Sequence, residues 1–173
     1  HGGLNHSGDI GTDSAVIEIG TEGMVILEGG TSGFAYAQIG HLGYTSKGDV
    51  GAGDRSKGSI TVDAGTGVRL EGGSQTVTYA QIGHGGMSSG AAGIGMFGDV
   101  EVTTTTGDIE LAEDPDDGVS GIHAYTQIGH GGINVDQTFG GNGNGDFSGD
   151  VTVEASAGSV ILEAGSSNRF ILS

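Results

Sequence analysis

Residues 149–165 read GDVTVEASAGSVILEAG, and within them apolar and polar side chains alternate in two short runs. In the first run Val151 and Val153 flank a polar residue, and in the second Val160 and Leu162 take alternate positions. Alternation with a period of two is typical of a β-strand that buries one face. The small residues SAG between the runs favour a tight corner. This stretch therefore predicts two short strands joined by a turn.

The two-strand phrase occurs four times along the chain, and a third phrase follows it three times. The first strand is VIEI from Val16, SITV from Ser59, DVEV from Asp99 and DVTV from Asp150. The second strand is MVILEGG from Met24, GVRLEGG from Gly67, DIELAE from Asp108 and SVILEAG from Ser159. The third phrase is YAQIGHLG from Tyr36, YAQIGHGG from Tyr79 and YTQIGHGG from Tyr125. A phrase that recurs at near-constant distance indicates a stacked structural unit rather than a catalytic motif.

The phrases divide the chain into four repeats of three strands each, residues 1–40, 41–83, 84–129 and 130–173. Equivalent strand positions carry similar side chains, as at Ile17, Ile60, Val100 and Val151. In a parallel β-solenoid each coil pairs with the next at about 4.8 Å, so like side chains form ladders. The 39 Gly residues and the lack of an i, i+3, i+4 apolar pattern exclude a helical fold. We therefore predict one all-β unit, a parallel β-solenoid with Gly-rich loop insertions.

Two coil counts fit the length of the repeats. Three strands make one three-sided turn of roughly 27 residues, with the remainder of each repeat inserted as a loop. Alternatively, each repeat folds into two shorter coils of about 21 residues, with part of the inserted segment forming a strand. The segments that follow each QIGH differ in length and share no apolar rhythm. We therefore expect one coil per repeat, about four coils in all.

The third phrase predicts two ladders on the outward face of its strand. Its inward positions are apolar or small, so the remaining positions face outward: Tyr36, Tyr79, Tyr125, Gln38, Gln81 and Gln127. Stacked glutamine amides hydrogen-bond to one another along the axis of cross-β assemblies. Stacked tyrosine rings either cover the sheet or form an aromatic strip for carbohydrate.

A third ladder is formed by the histidines that follow QIG, namely His41, His84 and His130. Imidazoles at strand spacing have the chemistry to share a transition metal, but metal sites need ligands that converge on one point. The alternative is structural, with each histidine closing a Gly corner and bonding to backbone groups. We favour the structural role.

Acidic loops supply weak calcium candidates. The segment ELAEDPDDG contains Asp114, Asp116 and Asp117, and the segment GNGNGDFSGD contains Asp146 and Asp150. The second segment approaches a calcium-binding nonapeptide, but its Asp is one residue late and the motif occurs once, whereas a calcium β-roll needs consecutive copies. Solvated acidic loops are the alternative, so no cofactor is expected beyond possible Ca²⁺.

The charge balance restricts the partners. The chain has 173 residues, with 5 Lys+Arg against 22 Asp+Glu, and its formal net charge is -17. Nucleic acids and anionic membranes attract clustered cations, so both are disfavoured as partners. Membrane insertion is not expected, because no apolar run approaches the roughly 20 residues that span a bilayer. The chain begins in mid-phrase with HGG, and we expect it to be a segment of a longer protein.

An enzymatic function is not expected. Some β-helices are polysaccharide lyases or hydrolases that use paired Asp residues, and this is the alternative class. Such a site needs one cluster that differs from the other coils, with basic residues nearby to bind acidic sugars. The basic residues here are few and scattered: Lys47, Arg55, Lys57, Arg69 and Arg169.

The pattern GDVTVEASAGSVILEAG, together with the repeated YAQIGHGG, resembles the repeat regions of large bacterial exoproteins of the filamentous haemagglutinin type. The resemblance covers all four repeats. It implies a right-handed β-helical fibre that is secreted to the bacterial cell surface and acts in adhesion, biofilm or cell contact. It also implies partners of two kinds, neighbouring coils of the same or like chains and a carbohydrate or cell-surface receptor. A calcium-stabilised, self-assembling filament subunit is a further alternative.

Overall fold

The computed structural model describes residues 15–46, 48–51, 54–88, 95–113, 124–133 and 146–163. Within these ranges the chain forms thirteen short strands and a 3-10 helix at Arg55–Lys57. The strands are β1 Ile17–Thr21, β2 Met24–Glu28, β3 Ala37–Ile39, β4 Ile60–Ala64, β5 Gly67–Glu71, β6 Ala80–Ile82, β7 Gly95–Phe97, β8 Val100–Thr104, β9 Ile109–Ala112, β10 Thr126–Ile128, β11 Asp146–Ser148, β12 Val151–Ala155 and β13 Val160–Leu162.

The strands assemble into four sheets, and every strand pair in the described chain is parallel. Sheet A has the order β1-β4-β8-β12, and sheet B has the order β13-β9-β5-β2. Sheet C has the order β10-β6-β3, and sheet D pairs β11 with β7. Consecutive strands along the chain therefore enter different sheets, and each sheet takes strands from different repeats. The prediction of an all-β chain built from parallel sheets is confirmed.

The pairing register joins equivalent positions of the repeats. In sheet A, Ile17 lies opposite Ile60, which lies opposite Val100 and then Val151. In sheet B the corresponding column is Val25, Val68, Ile109 and Val160. A shift of one residue would turn each apolar side chain to the other face, so the alternating pattern fixes this register.

One apolar cluster lies between the inward faces of sheets A, B and C. It contains Ile60 and Val62 of sheet A, Val68 and Leu70 of sheet B, and Ile82 of sheet C, all of which are fully buried. Burial of an aliphatic side chain of this size contributes about 1.5–3 kcal/mol. This cluster is the main core of the described chain.

A glycine column marks the end of each strand of sheet C. A Cβ atom on Gly40 would overlap the carbonyl group of Gly83, and a Cβ atom on Gly83 would overlap that of Gly129. Gly83 also has a φ of 150°. The QIG phrase therefore ends in glycine because one backbone stacks directly on the next.

The segments after QIGH are more ordered than the sequence predicts. Val50 forms a bridge with Met96 in β7, and β7 pairs with β11. The third repeat therefore has four described strands, β7 to β10, where three were predicted, whereas the fourth has three, β11 to β13, of which β11 was not predicted. Strands in these segments are what the alternative of two coils per repeat expected. These strands have three residues each, too few for a period of two to be recognised.

Candidate functional site

The histidine ladder is a buried stack of parallel rings. The ring centroids of His41 and His84 lie 5.0 Å apart with an interplanar angle of 9°, and those of His84 and His130 lie 5.0 Å apart at 6°. His41 and His84 are fully buried, and His130 is partly buried. The stack lies at the corner where the chain leaves sheet C.

The ring nitrogens of the ladder bond to the backbone. The backbone N–H of His41 donates to Nδ1 of His84 at 3.2 Å, and that of His84 donates to Nδ1 of His130 at 3.2 Å. Nε2 of His84 lies 2.5 Å from the carbonyl oxygen of Gly58, and Nε2 of His130 lies 2.6 Å from that of Gly98. A carbonyl oxygen only accepts, so Nε2 carries the proton and Nδ1 is the acceptor in a neutral ring.

These contacts join the two ends of each three-strand unit. Nε2 of His41 bonds to the carbonyl oxygen of Ala15 at 2.8 Å, and Ala15 lies just before β1. The carbonyl partners of His84 and His130, Gly58 and Gly98, lie just before β4 and β8. Each histidine therefore ties the end of a strand of sheet C to the start of the sheet A strand that opens the same three-strand unit.

Burial keeps these rings uncharged. Burial lowers the pKa of His84 to about 3, and the neighbouring His130 contributes to the lowering. Burial also lowers the pKa of His41 and of His130. Both ring nitrogens of His84 and of His130 are already bonded, so a metal ion would have to displace backbone partners. Among the residues that the structure describes, no group of three His, Cys, Asp or Glu side chains is placed to hold a metal ion.

The tyrosine ladder is stacked but buried. The ring centroids of Tyr36 and Tyr79 lie 4.6 Å apart, and those of Tyr79 and Tyr125 lie 4.8 Å apart, with interplanar angles of 6° and 9°. Tyr79 and Tyr125 are buried in a second cluster that includes Met87, and Tyr36 is half-buried beside it. The prediction that these rings face solvent is wrong, and with it the idea of an open aromatic strip for carbohydrate.

The cover over the tyrosines is the chain that follows QIGH. A Cβ atom on Gly43 would overlap the Tyr36 hydroxyl, and one on Gly86 would overlap the Tyr79 hydroxyl. Gly43 of HLG and Gly86 of HGG therefore lie directly against the hydroxyl ends of these tyrosine rings. Burial, followed by the neighbouring Tyr125 and Tyr36, raises the pKa of Tyr79 well above its usual range.

The glutamine ladder binds backbone rather than other glutamines. Nε2 of Gln38 donates to the carbonyl oxygens of Gly83 at 3.0 Å and Gly85 at 2.8 Å. Nε2 of Gln81 makes the same two contacts one repeat later, to Gly129 at 3.2 Å and Gly131 at 2.8 Å.

Gln127 donates to the carbonyl oxygen of His130 at 3.0 Å. Gln81 and Gln127 are buried. The prediction of outward glutamine amides that bond to one another along the axis is therefore wrong. Each amide instead donates to main-chain carbonyl groups near a QIGH corner. For Gln38 and Gln81 this corner belongs to the next repeat. The GG pair after the histidine was the sequence signal for this burial, since residues without large side chains let the chain after QIGH pack closely over the glutamines.

The acidic candidates do not form a cluster in the described chain. Asp114, Asp116 and Asp117 lie outside the described residues, and Asp146 is described only as part of the β11 backbone. Asp150 is exposed, and its Oδ2 lies 3.5 Å from Nη1 of Arg55.

Sequence reasoning missed the position of Arg55. Besides Asp150, its guanidinium donates to Oγ of Ser148 at 3.0 Å and lies 3.9 Å from Asp99. Arg55 therefore links the segment after the first QIGH to the third and fourth repeats, but exposed ion pairs of this kind contribute little to stability.

Comparison of the chain with protein-family models, with curated proteins and with solved structures finds no significant match. No helix in the described part of the chain has the length and apolar character needed to cross a membrane.

Proposed function

We propose that this chain is a segment of a right-handed parallel β-solenoid with one coil per repeat, serving as a rigid structural or adhesive fibre of a secreted bacterial surface protein. The observation that carries the proposal is the histidine contact within each three-strand unit. The Nε2 bonds of His41, His84 and His130 join the end of the sheet C strand to the backbone just before the sheet A strand. Such a contact is what one closed coil per repeat requires. The hand and the location follow from the resemblance to filamentous haemagglutinin repeats.

The ladders support a mechanical role. Sheets A and B bond each repeat to the next, sheet C bonds the first three repeats and sheet D the last two. Stacked histidine and tyrosine rings add lateral packing between repeats. In such an array each unit contacts mainly its neighbours, so stiffness accumulates along the axis. The Nε2 atoms of the histidine and glutamine ladders bind the main chain of the protein itself, and this favours a structural function over catalysis.

An adhesive function would use surfaces outside the ladders. The outward face of sheet A carries Glu18, Thr61 and Glu101 in one column, and the chain as a whole is strongly acidic. Such a surface disfavours anionic partners and favours neutral or cationic ones. Contact with a receptor is therefore assigned to this face and to the loops.

Electron microscopy of the purified chain, with X-ray diffraction from aligned material, tests the proposal. A β-solenoid gives rungs at about 4.8 Å along the long axis of the particle. Diffraction with the strand spacing in another direction, or a particle with no axial repeat, would remove the solenoid and the fibre role together. Repetition with a calcium chelator tests the metal-stabilised alternative, for which loss of the axial repeat is expected.

A further inference from the structure

The last described strands leave part of the apolar core uncovered. Val151 of β12 is 38% exposed, and Val160 and Leu162 of β13 are 46% and 38% exposed. Their partners in the preceding repeat, Val100 and Ile109, are fully buried. The strand edges of β12 and β13 that face away from β8 and β9 are also unpaired in the described sheets.

The first described strands present the matching surface at the opposite edge of the described sheets. β1 and β2 are the other edge strands of sheets A and B. Their inward residues Ile17, Ile19 and Val25 are only half-buried, whereas equivalent residues of β4 and β5 are buried. The outward residue Ile26 of β2 is 54% exposed.

The outward column of sheet B distinguishes the ends from the interior. The column runs Ile26, Arg69, Glu110 and Ile161. Inside the chain it holds an ion pair, with Nε of Arg69 3.7 Å from Oε2 of Glu110. In the first and last described strands it is isoleucine, so a junction that continued the register would place Ile161 against Ile26.

The other columns are compatible with the same junction. Continued register in sheet A places Val151 against Ile17 and Thr152 against Glu18, with no like charges opposed. In sheet B, Leu162 would meet Leu27. Glu163 would meet Glu28, which is the one like-charged pair in these columns; inside the chain the Glu28–Glu71 pair is offset by Arg69, whose Nη2 lies 2.7 Å from Oε2 of Glu71.

We infer that β12 and β13 of one copy dock onto β1 and β2 of a second copy, head to tail, so that sheets A and B continue across the junction. The inference rests on the proposed solenoid and names its partner, another copy of this chain. A head-to-tail contact leaves one free end of each kind on the pair, so the assembly is open and grows into filaments. Unpaired strand edges above an apolar surface are the usual template for such growth.

The two isoleucines allow a charge-exchange test by sedimentation velocity. The unaltered chain is expected to form a concentration-dependent series of oligomers. Ile161→Arg and Ile26→Glu each oppose a charge to an isoleucine, and each is expected to weaken association about tenfold or more. A mixture of the two variants is expected to restore association, because the introduced arginine then meets the introduced glutamate as Arg69 meets Glu110. Thr61→Arg, on the outward face of the interior strand β4, is the matched control and should associate like the unaltered chain.

Three results would overturn the inference: an unaltered chain that stays monomeric, single variants that associate normally, or a mixture that fails to recover association. Association between two β12–β13 faces would leave Ile26→Glu unaffected, since it never brings residue 161 against residue 26, and normal association of that single variant identifies this case. Amide hydrogen exchange of the same samples separates failure of the docking from failure of the proposed fold. If the protein is monomeric but the amides of β4, β5 and β6 are protected, the proposed solenoid stands and only the docking between copies is rejected.

Discussion

His84 is held in one protonation state by its contacts. Its Nδ1 accepts a backbone N–H and its Nε2 faces the carbonyl oxygen of Gly58, while His41 and His130 stack on either side. A second proton on the His84 ring would turn Nδ1 into a donor that faces the backbone N–H donor of His41. It would also place a positive charge within the buried histidine column. The ring therefore acts as a structural hydrogen-bonding group only while it is neutral.

The first prediction is loss of stability in mild acid. The folded-state pKa of His84, about 3, lies below the ordinary value of 6.5. Between these values the unfolded chain binds a proton that the folded chain does not, so the free energy of unfolding falls as pH falls. Above 6.5 the full stability is present. The expected slope from His84 approaches about 1.4 kcal/mol per pH unit, and the lowered pKa values of His41 and His130 add to it in the same direction.

Urea denaturation at several pH values between neutral and mildly acidic buffer measures this slope. His84→Gln is the comparison, because it removes the titrating group at that position. It is expected to be less stable than the unaltered chain in neutral buffer but to show a shallower pH dependence. Equal slopes for the two proteins would show that the histidine column does not govern the acid response.

The second prediction concerns the contact between Tyr79 and Gly86. A Cβ atom on Gly86 would overlap the Tyr79 hydroxyl, so Gly86→Ala is expected to destabilise the chain by about 1–3 kcal/mol. Tyr79→Phe removes the hydroxyl and should relieve part of that loss. A double-mutant cycle from denaturation curves measures the coupling. Additive effects would mean that the ring and the glycine do not meet.

At the scale of the strand, the sequence predicts sheets A and B well. Alternation in five-residue strands assigns the inward and outward residues of β4 and β8 correctly, because one face is apolar and the other polar. For β6 the same rule identifies the two faces but misjudges the second as open to solvent. A period of two says only that the faces differ, and the cover over Tyr79 and Gln81 comes from residues outside the strand.

The third prediction compares two glycines that differ in what surrounds them. Gly83 follows β6 in a stacked column, with its Cβ position against the carbonyl group of Gly129 and a φ of 150°. Gly83→Ala is expected to destabilise by about 3 kcal/mol or more, since backbone must move. Gly20 lies in β1 with no atom within 4 Å of its Cβ position, so Gly20→Ala should be neutral or slightly stabilising. Thermal unfolding of both variants gives the comparison, and similar losses would contradict the stacked column.

At the scale of the whole molecule, stability is expected to vary along the stack. Interior repeats bury their apolar ladders on both sides, whereas Val151 and Val160 at one end remain partly exposed. Arrays of this kind open from their ends, because a terminal unit has only one neighbour. We therefore expect the free energy of local opening to be higher for the interior repeats than for the first and last described repeats.

The fourth prediction uses one ladder of sheet A. Val100 and Val151 are paired residues of the same type, but Val100 is fully buried and Val151 is 38% exposed. Val100→Ala is expected to lower the free energy of unfolding by about 2–3 kcal/mol, and Val151→Ala by less than about 1 kcal/mol. Denaturation at low protein concentration keeps association from masking the difference. Equal losses would mean that the end of the stack is covered.

The tyrosine column also has an optical consequence. The chain has no Trp and 4 Tyr, so its ultraviolet emission comes chiefly from tyrosine. Three of these rings lie face to face at 4.6 and 4.8 Å, close enough to exchange excitation energy. Unstacking would separate them, so the unlabelled protein carries its own fluorescent reporter of whether neighbouring repeats remain in register.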